Sequence, residues 1–115
     1  MTVEKRRFKR YEINCKGILY FHGVEYPVII KDISTDGIGI AIDTNYYDNV
    51  VEMLDRDIEI QFYDYADGEK NLDNINIFTY QAIAVRMKWC GDYISLGCAA
   101  RTRREFKKYI EYYFH

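Results

Sequence analysis

Arg6 and Arg10 stand four residues apart in the stretch EKRRFKR, residues 4–10. Asp32, Ser34 and Gly37 share the stretch DISTDG, residues 32–37. A guanidinium is planar, permanently charged and forked, so it grips an anion through paired hydrogen bonds. A carboxylate accepts hydrogen bonds, a hydroxyl donates or accepts them, and a glycine lets backbone come close. Together these groups suit a small anionic ligand held between an arm and a turn. Each element also has a plainer use. A solvated arm collects cations, and Asp, Ser and Gly populate ordinary turns. At average composition an R-x-x-x-R pair arises by chance in about one chain of this length in three or four, but D-x-S-x-x-G in only about one in thirty. Both in this order, with one strand between them, are much rarer.

Charge placement narrows the ligand. The formal net charge is −2. Residues 1–10 carry net +4, residues 101–115 net +3, and residues 11–100 net −9. A general nucleic-acid platform would want one broad basic face. Two basic ends on an acidic body fit a local anion site instead. Cys15, Cys90 and Cys98 show no C-x-x-C spacing, and His22 and His115 do not complete a zinc pattern, so no metal or cofactor is expected. No apolar run approaches the ~20 residues of a membrane span, and the charged N-terminal stretch is not a signal peptide. A cytoplasmic, single-domain protein of 115 residues is expected, with no membrane insertion.

The elements that must position these residues read mostly in period two. Tyr11, Ile13, Cys15, Gly17, Leu19 and Phe21 share one face. Val24, Tyr26, Val28 and Ile30 form a second run; Ile38, Ile40 and Ile42 form a third, with Gly37, Gly39 and Ala41 opposite. Ile58, Ile60 and Phe62 alternate with polar residues. Residues 75–90 set Ile75, Ile77, Ile83, Val85, Met87 and Trp89 against a more polar face, and DYISLGCA makes a sixth run. Six such runs predict a mainly β fold, a six-stranded antiparallel barrel spanning 11–100. HG at 22–23 and ADG at 66–68 are predicted hairpin turns. The 43–55 stretch is weakly patterned, with room for a short helical turn. Phe106, Tyr109, Ile110, Tyr113 and Phe114 then follow helical spacing, and Thr102 with Glu105 fits a capping box. A C-terminal helix over 102–115 is predicted, packed on the barrel, and residues 1–10 are expected to be a flexible basic arm.

With Arg6 and Arg10 in RRFKR, then Asp32, Ser34 and Gly37 in DISTDG, the sequence resembles the PilZ domain family. Leu96–Gly97 resembles the family's late strand end; Ala100 departs from it, standing where a larger apolar residue is usual. The resemblance runs over essentially the whole chain. It implies a split-barrel type of six-stranded barrel with a C-terminal helix, and a receptor for the bacterial second messenger cyclic di-GMP (c-di-GMP). It implies that Arg6, Arg10, Asp32, Ser34 and Gly37 contact the ligand; by their charge, Lys5 and Arg7 are secondary candidates for phosphate contacts or stacking. It implies one c-di-GMP per site or an intercalated pair, with Lys5 at the position that matters for the choice. A one-domain receptor of this kind would deliver its signal to a protein partner, in motility, exopolysaccharide production or attachment.

Three rival classes make different demands. An enzyme would need a nucleophile and base, a metal or paired carboxylates in a cleft; neither histidine is placed as a base, so no catalysis is expected. A single-strand nucleic-acid barrel would stack bases on an aromatic face. Tyr80, Arg86 and Lys88 on one face of the 75–90 strand would serve, although the acidic middle of the chain argues against DNA or RNA. A PilZ-like interaction module that binds no nucleotide would be expected to have lost the motifs, which are intact here.

Overall fold

The computed structural model describes residues 9–65, 75–101 and 110–111. Its strands are β1 (Tyr11–Phe21), β2 (Val24–Ser34), β3 (Gly37–Asp43), β4 (Asp57–Tyr65), β5 (Ile75–Trp89) and β6 (Tyr93–Ala100). A 3-10 turn (Thr44–Tyr46) and the helix α1 (Tyr47–Met53) lie between β3 and β4. The strands close into an antiparallel barrel in the order β1-β2-β3-β6-β5-β4. Closure is made by β1 and β4, which pair over Gly17–Tyr20 and Glu59–Phe62 and cover each other's edge there.

Alternation built most of the wall. Leu19 and Phe21 from β1, Ile38, Ile40 and Ile42 from β3, and Ile58, Ile60 and Phe62 from β4 all point into the core. His22 and Gly23, with φ of 50° and 77°, make the tight β1–β2 turn that the HG pair predicts. The predicted ADG turn lies outside the described residues.

The expected short helical turn within 43–55 is present. The helix that the structure describes is central, inside the 43–55 stretch, rather than C-terminal. It forms there because Val50 and Met53, three apart, both reach the core, so one face of this helix of about two turns is buried. Asp43 accepts a hydrogen bond from the Asn45 N–H at 2.8 Å and starts the 3-10 turn that leads into it. The predicted C-terminal helix and its capping box fall mostly outside the described residues. Ile110 and Glu111 are helical, and Ile110 packs half-buried against the core. No helix among the described residues is long and apolar enough to cross a membrane.

The inward face of β5 also differs from the simple alternation. Ile77, Val85 and Trp89 are exposed, whereas Tyr80, Ala82 and Ala84 are buried. Phe62 and Tyr80 stack with ring centroids 5.5 Å apart and an interplanar angle of 21°. Tyr80 is therefore a core residue, not part of an outward face with Arg86 and Lys88. The cause is a bulge between Ala84 and Arg86, where β5 pairs with β6. One extra residue reverses inside and outside for all that follows. Val24, grouped with Tyr26, Val28 and Ile30 by alternation, is exposed because it sits at the hairpin end, beyond the core.

Candidate functional site

Asp32 faces outward only because β2 also bulges. Tyr26, Val28 and Ile30 point inward, so strict alternation would bury the Asp32 carboxylate. An uncompensated buried carboxylate costs several kcal/mol, roughly, even after relaxation. The irregularity between Ile30 and Asp32 inverts the pattern: Ile33 enters the core at 0% exposure and Asp32 turns out. The bulge in β5 does the same for Arg86. Two displaced strands thus bring an acid and a base onto one outer surface.

Registers set them in one row. Glu12 pairs with Asp32, Asp32 with Gly39, Gly39 with Gly97, and Gly97 with Arg86. The row crosses β1, β2, β3, β6 and β5. Neighbouring strands lie about 4.8 Å apart, so the backbones at Asp32 and Arg86 are separated by roughly 14 Å. Two glycines between them carry no side chain, and the surface sinks into a trough. A Cβ on Gly39 would come within 2.8 Å of Asp32 Oδ1, and one on Gly97 within 3.0 Å of Arg86 Cγ and Nε. Both flanking side chains lie down over the glycine floor. The cavity has a volume of about 440 Å³ and is lined by Arg10, Glu12, Asp32, Arg86, Lys88 and Ser95 around that floor. This volume is within the ~300–1,000 Å³ usual for small-molecule sites.

The two motifs meet at the rim. Arg10 Nη1 donates to Asp32 Oδ1 at 2.5 Å, and both side chains are half-buried. The pair links residues 22 apart in the chain. Its net stabilisation is modest, because water still reaches both groups. Its consequence is positional: it holds a guanidinium and a carboxylate side by side over the trough.

Ser34 and Gly37 sit elsewhere. Ser34 is buried, and its hydroxyl donates to Asp36 Oδ1 at 2.6 Å. It faces Gly37 across the β2–β3 turn. A Cβ on Gly37 would meet the Cys98 carbonyl oxygen at 2.6 Å, so this glycine lets β6 approach β3. The Ala100 N–H donates to the Asp36 carbonyl at 2.9 Å and fastens the turn to β6. In this structure both residues brace the turn after Asp32 and neither lines the trough. Arg6, Lys5 and Arg7 lie outside the described residues. Among the described residues no cluster of three or more His, Cys, Asp or Glu could hold a metal ion.

The family model of the PilZ domain matches residues 4–110 of this chain. The chain belongs to the PilZ domain family. No curated protein matches it. Solved structures do. The Bacillus subtilis inhibitor of motility, MotI/DgrA, superposes with a TM-score of 0.70 at 10% identity, over 96% of this chain and 50% of that one. The K. pneumonia MrkH–c-di-GMP complex gives 0.65 at 16% identity, over 95% and 52%. The PilZ domain of YcgR from Escherichia coli, solved with c-di-GMP, gives 0.59 at 12% identity, over 95% and 91%. At these identities the likeness is one of fold, and the chain spans about half the length of the first two.

Within this PilZ domain, the structure places Arg10 and Asp32, two of the residues that the sequence singles out, at one side of the trough; the opposite side is lined by residues outside the motifs. Gly39 and Gly97 were visible as small residues in β runs, but nothing local says that they are neighbours. Arg86 and Lys88 were visible as a polar face, wrongly joined to Tyr80. Glu12 belongs to no motif. The available signal was the pair of glycines at strand centres, which often mark a close approach to a ligand or backbone.

Proposed function

We propose that this PilZ domain binds c-di-GMP in the trough between the Arg10–Asp32 pair and the Arg86–Lys88 wall. The observation that carries the reading is the meeting of Arg10 and Asp32 at the edge of a glycine-floored cavity. Guanidinium groups suit the ligand's phosphates and the O6/N7 edge of guanine. The Asp32 carboxylate suits guanine N–H donors. Arg6, with Lys5 and Arg7, supplies further contacts to the ligand's phosphates, and Ser34 and Gly37 keep the Asp32 turn in shape.

Magnitudes require these parts to act together. Micromolar binding needs about 8 kcal/mol. One bidentate contact supplies ~1–3 kcal/mol, and association itself costs at least about 4 kcal/mol. No single arginine suffices.

The domain acts as a cytoplasmic receptor and adaptor, not an enzyme, and relays ligand state to a protein partner, in motility or exopolysaccharide control. Support for the relay comes from β5. It carries Arg86 and Lys88 into the trough and sets Trp89 against Tyr47 of α1, ring centroids 5.6 Å apart. A shift of this wall would reach the α1 surface.

Calorimetric titration with c-di-GMP tests binding and stoichiometry together. Arg10→Ala and Asp32→Ala are each expected to weaken binding at least about tenfold, as loss of a bidentate contact would, with an unchanged far-UV spectrum. Wild-type affinity in both variants would remove the site assignment. No binding by the wild-type chain would leave the nucleotide-free interaction module.

A further inference from the structure

A second groove lies on the outer surface of β1, β2, β3 and β6, further along the strands than the trough. Its volume is about 690 Å³. Tyr26, Val28 and Ile30 fill the core, so Pro27 and Ile29 between them point outward. Ile18 stands opposite Pro27, and Ile29 stands between Lys16 and Ala41. Ile29 is 37% exposed, and Pro27 is exposed too. Ala41, small among larger neighbours, leaves a dip in the surface. Apolar surface gathered in one place with charges only at its margins marks an interaction face.

The margins carry opposite signs. Lys16 closes the groove on the β1 side, and Asp43 and Asp92 close it on the β3–β6 side. Three strand spacings separate β1 from β6, roughly 14 Å, so Lys16 and Asp92 do not pair within one chain. Neither side chain makes a hydrogen bond or ion pair with a described residue. An apolar strip with a cation on one side and carboxylates on the other is complementary to itself. A two-fold axis running along β2 carries β1 of each copy over β3 and β6 of the other. Lys16 of each copy then approaches Asp43 and Asp92 of the other, while Ile18, Pro27 and Ile29 of both close over the middle. Contacts repeated in this way are what an isologous dimer requires. The exposed apolar face of α1 fails the same requirement. Tyr47 and Val51 there stand beside Asp48, Glu52 and Asp55, all exposed and all of one sign, so two copies would repel. We infer that the Ile18–Pro27–Ile29 groove is the face through which this chain pairs with a second copy of itself. The dimer is two-fold, held by apolar contact at the centre and by two symmetric Lys16–Asp92 pairs at the margins.

Sedimentation equilibrium of the full chain without nucleotide, from micromolar to millimolar concentration, supplies the test. The wild type should dimerise reversibly. Lys16→Glu sets carboxylate against carboxylate at both margins of the dimer, and Asp92→Lys sets ammonium against ammonium. Each variant alone should raise the dimer dissociation constant at least about tenfold. Melting curves of the dilute variants should match the wild type, since both positions are exposed. In an equimolar mixture of the two variants, a mixed dimer has opposite charges at both margins, so dimerisation should return to near the wild-type constant. Only a two-fold contact between these two residues predicts that rescue. A wild type that stays monomeric throughout would overturn the inference and leave the groove to another protein or to a segment of this chain. Dimers that neither variant weakens, or a mixture that stays monomeric, would overturn it too and place any self-association elsewhere. The trough and its ligand play no part in these outcomes.

Discussion

Replacing Gly97 by alanine adds one methyl group to the trough floor. Its Cβ would lie 3.0 Å from Arg86 Cγ and Nε and 3.6 Å from Cδ. Comfortable contact needs about 3.5–4.0 Å, so one partner must retreat by roughly 0.5–1 Å. The backbone is held, because β6 pairs with β3 on one side and β5 on the other at this very residue. Arg86 is exposed and flexible, so it moves instead. Folding should hardly notice: surface changes fall within about 0.5 kcal/mol, and exchanging glycine for alanine lowers unfolded-chain entropy by a comparable amount. Binding should notice. Moving a bidentate guanidinium off its target forfeits most of ~1–3 kcal/mol. A loss of about 1–2 kcal/mol is expected, roughly 5- to 30-fold in Kd. Calorimetry with c-di-GMP measures the loss, and a melting curve confirms the fold. Arg86→Ala should lose as much, and the double variant no more than Arg86→Ala alone, because both act through one contact. Wild-type affinity in Gly97→Ala, or additive losses in the double variant, would refute the reasoning.

Gly37→Ala should behave in the opposite way. Its Cβ meets a backbone oxygen, Cys98 O, at 2.6 Å, in a ladder that has no flexible partner to yield. Overpacking of this kind costs about 1–3 kcal/mol. The melting temperature should fall by about 4 °C or more per kcal/mol; a shift within about 1 °C would show that β3 and β6 can part there. Burial pushes the Cys98 thiol up from 9.0 to about 12. Its contribution to stability is therefore whole below pH 9 and lost as pH rises toward 12, since the unfolded chain ionises first. Urea midpoints of the wild type should fall more steeply over that window than those of Cys98→Ala, and parallel curves would contradict the buried thiol.

Much of this protein was legible in one dimension. Alternation of Ile38, Ile40 and Ile42, or of Ile58, Ile60 and Phe62, depends only on each strand having one buried face, which any neighbour can cover. The His22–Gly23 turn needs positive φ at two adjacent residues, a local demand that local sequence meets. The motif residues Arg10 and Asp32 were legible because their types are rare in combination.

The tertiary structure decided the rest. Strict alternation assigns Asp32 to the core and joins Tyr80 to Arg86; bulges at β2 and β5 reverse both assignments. A bulge is a property of two paired strands, since the extra residue exists only relative to a partner, and no window of one strand contains that information. The same is true of the Gly39–Gly97 floor, whose members are 58 residues apart in sequence and adjacent only through the β3–β6 register. The helix α1 was legible as a weakly patterned stretch, but Val50 and Met53 favour a helical turn only once a barrel end lies beneath them. The sequence determined which residues can grip an anion; pairing between distant strands determined which of them share a surface.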